Sequence, residues 1–585
     1  MARKAAGGRG GRSVKTLVIV ESPSKAKHIQ HILGSGYTVA ASMGHVRDLP
    51  AKRMGIAPPR FDLEYETTSK GSAVLRRLRQ LVKTAGAYVL ATDPDREGEA
   101  IAWHLKAALR LPDSRTRRVT YHAVTEAAVR EAFGKPRGID MNLVRAQEAR
   151  RGLDRLVGYT LSGAVSDAVH ERASVGRVQT PALRLVVERE RERRAFRSTL
   201  HFGARLFFDG FAADWDTKPH LGPGEKYLLD RALAERAAAV RRVRVAEAER
   251  KTRVRGAPPP HTTSTLLQEA AKAGIPGTRA MAAAQALFEA GRITYHRTDS
   301  VHIEPEAVAA IRDYAAERGY AVPERPNVHK TRSAAAQEAH EAIRPTDIRL
   351  ETAGDGGDVS RLYTMIRRRA LASQLAPERA EVLEAVLVSE EPGDLAGFRY
   401  KTSTVRVLEP GFAVLYPRPD TAGAAREPLR EGERLAAKSG KVRPLCTEPP
   451  PRYTEASLIK ALERRGIGRP STWASILDTL RRRRYIEPVP GSKPASSEKP
   501  ASCNVKPQAR RAAAGLDLAP TPLGERLIDA VSETAFAAYD YTAEMEKRLD
   551  LIACGKAAFV QVMADGYAEI RRDLARIAVA GRGSI

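Results

Sequence analysis

Four carboxylates and one tyrosine carry most of the chemistry legible in this sequence. Thr92-Asp93-Pro94-Asp95-Arg96-Glu97-Gly98-Glu99 follows the short apolar run Ala87–Ala91. In an extended segment alternate residues face the same way, so Asp93, Asp95 and Glu97 are expected to converge. The carboxyl end of a parallel strand is also where open α/β sheets place ligands. Three crowded carboxylates repel one another unless a cation or a shared proton offsets the charge. Mg²⁺ suits them, because it takes hard oxygen ligands and keeps room for waters and a phosphate. An acidic helix N-terminus that complements the dipole gives the same pattern; an EF-hand is excluded by spacing. Glu21 ends an earlier apolar run, KTLVIVE, and can reach the same sheet edge. Lys25 adds a cation one turn later, or serves only as an i, i+4 helix partner.

Tyr295 lies in GRITYHRTDS. A helix is expected to end at Gly291, a favourable residue just past a C-terminus. Ile293–Arg297 then reads as extended, which puts Tyr295 and Arg297 on one face. A tyrosine hydroxyl with a pKa of about 10 attacks poorly unless a cation or metal stabilises the phenolate. Arg297 could do so, or could grip a phosphate with two donors. Taken alone, Tyr295 has the ordinary reading of a packing residue with a satisfied hydroxyl.

The scaffold implied around these residues is α/β. Runs at Lys15–Glu21, Tyr37–Ala41, Ala87–Ala91 and Arg118–Tyr121 alternate with helical patterns from Lys25, near Lys70–Thr84, from Glu97 to Leu109 and from Thr125. That alternation predicts a parallel sheet. Residues 140–195 read as helical and Arg-rich, and period-two alternation marks 201–255 and 381–416. The block 262–385 between those two is mostly helical, as if inserted into a sheet domain. From Tyr453 the chain reads as helical again, interrupted by the Pro/Ser/Lys-rich stretch Pro488–Pro507.

Composition narrows the partner. The 585 residues imply about four domains at roughly 150 residues each. Their 97 Lys and Arg against 70 Asp and Glu leave +27, which fits a polyanion such as nucleic acid, although solvated surface charge is the bland alternative. Three cysteines without a CxxC are too few for a disulfide framework or zinc fingers. No apolar stretch is long enough for a membrane span. The opening MARKAAGGRGGRS reads as a basic arm rather than a secretory signal. A reducing cytoplasm, with nucleoid association, is the expected location.

Nine blocks, in order, resemble one family: VESPSKAKHI, ASMGHVRDLP, ATDPDREGEAIAWHL, ARRGLDRLVGY, GRVQTPALRLVVERERE, TTSTLLQEA, GRITYHRTDS, AHEAIRPT and GIGRPSTWASILDTL. They are similar to the bacterial type IA DNA topoisomerases, in the topoisomerase I branch. The resemblance implies a multidomain α/β, α and β chain with a TOPRIM α/β domain in a four-domain toroidal core. The segments it implies are a basic arm (1–13), TOPRIM (14–135), a helical single-strand-DNA domain (136–197 and 452–585, with a linker at 488–510), a β-rich hinge (198–258 and 386–451), and a helical domain with the nucleophile (259–385).

The resemblance also implies roles. Tyr295 attacks single-stranded DNA, forms a 5′-phosphotyrosyl bond and releases a 3′-hydroxyl. A second strand passes and the break is resealed, so that negatively supercoiled DNA relaxes without ATP; the sequence contains no GxxxxGK[ST] loop. Glu21 is a general acid or a metal ligand, while Asp93, Asp95 and Glu97 hold Mg²⁺. Lys25 and Arg297 neutralise the scissile phosphate, and Arg96 orients the acids. His45 and His340 match positions near the site or strand; for each, a satisfied structural histidine is the alternative. Arg150, Arg151, Asp154, Arg155, Arg177 and Gln179 match a single-strand groove, and Arg469, Ser471 and Thr472 match a further strand-contacting segment. No role follows for His296 or Trp473. The paired cysteines of C-terminal zinc ribbons are missing, which leaves the basic arm and Arg-rich surface as the expected grip on DNA. A monomer is expected. The alternatives are a single-strand-binding nucleoid factor, a topoisomerase III-like decatenase, or another TOPRIM enzyme, the last disfavoured by Tyr295.

Overall fold

The structure, a computed structural model, describes residues 15–330, 341–416, 429–490 and 516–582. Its first unit is a four-stranded parallel sheet in the order Tyr37–Ala41, Thr16–Val20, Ala87–Leu90, Thr116–Arg118. Strand Thr16–Val20 is central and its alternating side chains serve two cores. Leu17 and Ile19 join Leu75, Leu78, Ile101 and Leu105, whereas Val18 and Val20 join the large core that includes Ile29 and Phe288. The helices Pro23–Leu33, Ser69–Val82, Arg96–Leu109 and Glu126–Gly134 start on side-chain caps from Ser22, Thr68, Asp95 and Thr125. Each cap satisfies a backbone N–H that has no partner within its helix.

The fourth strand, Thr116–Arg118, lies before the expected run Arg118–Tyr121 and shares only Arg118 with it. Beyond it the carbonyls of Thr92 and Asp93 are taken by the Arg118 guanidinium, at 2.9 and 2.7 Å, in place of strand partners.

A seven-stranded antiparallel sheet forms the second unit, in the order Arg434–Ala436, Arg242–Arg255, Glu378–Ser389, Arg399–Glu409, Ala212–Trp215, Leu200–Phe207, Ser439–Cys446. Helices Thr263–Lys272, Gly277–Glu289, Pro305–Glu317 and Gly357–Ser373 are inserted between its two longest strands. Strand Glu378–Ser389 straddles the expected boundary at 385/386 and pairs with Arg242–Arg255 from Arg255↔Glu378 to Val243↔Ser389. Helix Arg231–Ala239 is not apparent in the period-two reading; Ala234, Ala237 and Ala238 pack it against the sheet.

The remaining helices form the third unit. Met141–Val169 and Phe559–Arg582 approach closely: a Cβ on Gly566 would lie 2.4 Å from Leu153 Cδ2. The region after Tyr453 is not purely helical, since Tyr453–Thr454, Asp517–Pro520 and Ile486–Val489 form a small sheet. These strands are too short to show a period. Pro488, expected in a linker, sits in an edge strand, where a missing N–H is tolerated; residues 491–510 of that linker lie outside the described residues. Cys554 is an exposed free cysteine. No described helix is long and apolar enough to cross a membrane.

Candidate active site

The acids converge, but not along an extended strand. Asp93 follows strand Ala87–Leu90, Asp95 is the N-cap of helix Arg96–Leu109, and Glu97 sits in that helix's first turn. The turn is tight because Gly98 lies against it: Asp95 Oδ1 accepts from Gly98 N at 2.8 Å, and a Cβ at Gly98 would fall 2.3 Å from Asp93 O. The dipole-capping and functional readings of this motif therefore apply to different oxygens. Asp95 Oδ1 caps the helix, while Asp95 Oδ2 accepts from the Tyr295 hydroxyl at 2.7 Å.

Tyr295 comes from the inserted helical block, 200 residues away in sequence. Its backbone N–H donates to His122 O at 2.8 Å, and its ring packs edge-on to Phe288. Only 2% of the residue is exposed. Arg297 lies on the same side and donates to Glu97 Oε2 at 2.7 Å, with Asp95 Oδ2 at 3.5 Å. It does not activate the phenol here. Burial, then Asp95 and Asp93, push the Tyr295 pKa well above the ordinary tyrosine value, and Arg297 only partly opposes them.

Lys25 is fully buried beneath this cluster. Its ammonium donates to Asp93 Oδ1 at 2.5 Å and Glu21 Oε2 at 2.8 Å. Burial acts to strip its proton, but Asp93 and Glu21 outweigh that and keep it charged. Asp93 is held below the usual carboxylate range because Lys25 and Arg297 outweigh burial. Glu21 behaves in the opposite sense: burial and the Asp93 charge push it up to about 8, against Lys25. The two acids share one cation, so the charge of Asp93 raises the proton affinity of Glu21. His45 Nε2 lies 3.8 Å from Glu97 Oε1, and His45 and Arg297 hold Glu97 low.

Glu21, Asp93, Asp95, Glu97, His296 and Arg297 line one cavity of about 370 Å³. Its hard oxygen donors match the chemistry of Mg²⁺. Yet most of those oxygens already accept from Lys25, Arg297, Tyr295 or backbone N–H, and among the described residues no three groups stand ready as a metal cluster.

The strand-contacting candidates divide. Arg96 does not orient the acids: it donates to Asp550 Oδ1 at 2.6 Å, because as the first helical residue it points away from its neighbours' cavity. Arg469 donates to Asp550 Oδ2 at 2.7 Å. Arg150 and Arg177 donate to Glu546 at 2.5 and 2.7 Å, and Arg177 also reaches Asp154 at 3.0 Å. Arg177 is only 1% exposed and so acts as a structural cation, not an open groove residue. Arg151 makes a two-oxygen pair with Asp48, and Arg155 donates to Pro50 O at 2.9 Å. Gln179 opens helix Gln179–Ala195 and lies against Gly176, away from the acids' cavity. Ser471 and Thr472 line a second cavity of about 270 Å³ with Arg96, Arg150 and Arg469, and Asp95, Glu97 and Arg297 line both cavities. His340 lies outside the described residues.

Sequence reasoning missed Glu546 and Asp550, and the signal was available. Glu546 sits on the buried face of helix Tyr539–Ala553 beside Met545 and Leu549, and a charge on an apolar face requires a partner. It also missed Arg118, which holds the carbonyls behind Asp93 and pairs with Glu99 at 2.9 Å.

Comparisons with known proteins show the family. The family described as DNA topoisomerase matches residues 138–499, and the Toprim domain matches residues 16–124. The plasmid DNA topoisomerase I of Xylella fastidiosa is 39% identical over 96% of this chain and 84% of its own length. DNA topoisomerase 1 of Zymomonas mobilis is also 39% identical, over 94% of this chain and 45% of its own length. The solved full-length topoisomerase I of Thermotoga maritima superposes with a TM-score of 0.81 at 33% identity, covering 96% of this chain and 90% of that one.

Proposed function

The chain belongs to the DNA topoisomerase family, in its type I branch, and from that premise we propose that Tyr295 is the nucleophile by which it relaxes negatively supercoiled DNA. The observation that carries this reading is the Tyr295 hydroxyl, directed from another domain onto Asp95 Oδ2 at 2.7 Å within the acid cavity. A packing tyrosine also satisfies its hydroxyl; what sets this one apart is that its acceptor is a carboxylate in a cavity lined by three further acids, Glu21, Asp93 and Glu97.

The chain's own residues supply each proton. Attack forms a bond between the Tyr295 oxygen and phosphorus, and the phenolic proton passes to the Asp95 oxygen it already faces. The bond from phosphorus to the 3′-oxygen breaks, and Glu21, protonated below about 8, gives that oxygen its proton. Resealing reverses both transfers: Glu21 takes the proton of the 3′-hydroxyl and Tyr295 leaves as the neutral phenol. Arg297 and Lys25 offset charge on the phosphate, an electrostatic contribution that such transfers depend on. Asp93, Asp95 and Glu97 would hold Mg²⁺, which would add positive charge for resealing. The cycle needs no ATP, because torsion in the DNA supplies the free energy. Single-stranded DNA is the segment bound, along the cavity lined by Arg96, Arg469 and Thr472.

Tyr295→Phe tests the reading. Relaxation of a supercoiled plasmid and the covalent DNA adduct should both vanish, with strand binding retained; an adduct that persists removes Tyr295 from the role. Wild-type chain that binds plasmid and Mg²⁺ without producing a ladder of topoisomers would favour the nucleoid-factor alternative.

A further inference from the structure

Three arginines that line the second cavity, Arg96, Arg150 and Arg469, already have anionic partners on helix Tyr539–Ala553, and the two partners differ. Glu546 is fully buried, and Arg150 and Arg177 seal it from two sides. Asp550, one turn further along the same helix, has 21% of its side chain exposed. Each of its oxygens takes one guanidinium: Oδ1 from Arg96 on the acid-bearing helix, Oδ2 from Arg469 in the GRPST loop. One oxyanion bridged by two guanidiniums is also the arrangement that a phosphodiester's two non-bridging oxygens accept. A second observation points the same way. Arg96 Nη1 is buried and has no hydrogen-bond partner, so this pair keeps a donor that a larger oxyanion could use.

We propose that Asp550 is a stand-in for a DNA phosphate: its carboxylate occupies the Arg96–Arg469 anion position until a backbone phosphate of the bound strand displaces it. This rests on the single-strand path assigned above and adds a residue that competes with the substrate. Arg96 and Arg469 come from segments far apart in sequence, and Asp550 links them across the channel. The entering strand therefore exchanges one anion for another instead of finding bare cations. That exchange spares the empty protein the cost of two unpaired, desolvated guanidiniums. It also weakens strand binding, which lets the strand leave after resealing.

The experiment is equilibrium binding of a fluorescein-labelled oligodeoxythymidylate to the full chain, read by anisotropy in chelator so that no cleavage cycle intervenes. Asp550→Asn removes the competing charge and should bind about ten-fold more tightly, the scale of one charge-assisted hydrogen-bonded pair freed for the ligand. The gain should disappear when Asp550→Asn is combined with Arg469→Gln, measured against Arg469→Gln alone. Weaker binding by Asp550→Asn overturns the proposal, because Asp550 then orients the arginines for DNA. Unchanged binding overturns it as well, since the phosphate then lies elsewhere. If thermal melting shows that Asp550→Asn does not fold, Asp550→Ser carries the same signs. A wild-type chain that fails to bind the oligonucleotide overturns the strand path itself. Wild-type binding without a gain in the variant overturns only the role of Asp550.

Discussion

The two adjoining cavities are built with opposite charge surpluses. Around Tyr295, Glu21, Asp93, Asp95 and Glu97 share the cations Lys25 and Arg297. Around Arg469, the cations Arg96, Arg150, Arg177 and Arg469 share the carboxylates Glu546, Asp550 and Asp154, one fewer than the cations. A surplus of carboxylates calls for a cation and holds protons near neutrality, whereas a surplus of guanidiniums calls for an anion. One strand bridging both cavities would thus meet its grip in one and its chemistry in the other. Arg297, which lines both, is the natural point of transfer.

Removing the acid surplus should have the largest effect. In Asp93→Asn with Asp95→Asn the cavity keeps Lys25 and Arg297 but loses two of the oxygens that would hold Mg²⁺. Plasmid relaxation should fall below detection; cleavage should slow, because Asp95 no longer takes the phenolic proton, while the covalently bound DNA that does form should persist on denaturing gels. Relaxation that proceeds normally in excess chelator would refute the metal assignment. Cleavage at the wild-type rate in the double variant would remove Asp95 as the acceptor of the phenolic proton.

The next effect belongs to one proton. Glu21 is pushed up to about 8 by burial and Asp93, so it is mostly protonated at pH 7 and loses its proton as the pH rises through that value. Cleavage that draws on this acid should decline above about pH 8, and the decline should be absent in Glu21→Gln. That variant should cleave about 100-fold more slowly, the lower part of the range for a positioned general acid. A pre-steady-state cleavage rate followed from pH 6 to 10 decides this, and a rate that stays flat for the wild type excludes Glu21 as the acid.

The unequal legibility of these two cavities has a physical reason. Asp93, Asp95 and Glu97 are neighbours in sequence beside a strand run, and local spacing was enough to bring them together on paper. Even so, the mechanism of convergence differed: a capped helix turn closed on Gly98 gathers them, not an extended segment. That the sheet is parallel, and roughly where its helices lie, followed from alternation, which is a local property; the strand order did not. Asp550 and Arg96 are 454 residues apart and Tyr295 and Asp95 are 200 apart; no period or composition encodes such pairings. The sequence therefore marks Arg177 as basic and available, while the fold spends it on Glu546 and Asp154. Very short strands, such as Tyr453–Thr454, escape for the related reason that two residues have no periodicity.

The smallest expected effect sharpens the meaning of +27. Binding to a single strand releases counterions only from phosphates that basic side chains neutralise, with a slope of about −0.7 per phosphate in log K against log salt. Arg150 and Arg177 are held by the sealed Glu546, and Arg151 by Asp48, so much of the surplus never meets DNA. If Asp550 gives way to a phosphate, the Arg96–Arg469 pair counts once, not twice, since one phosphate answers both. Contacts with about three or four phosphates then give a slope near −2 to −3, far shallower than the whole surplus would produce. Oligonucleotide titrations from low to moderate salt measure it directly. A flat line would mean that the strand is not held by these cations at all. A slope several times steeper would mean that the internal carboxylates release every arginine they hold, which would erase the distinction between the sealed Glu546 and the exchangeable Asp550.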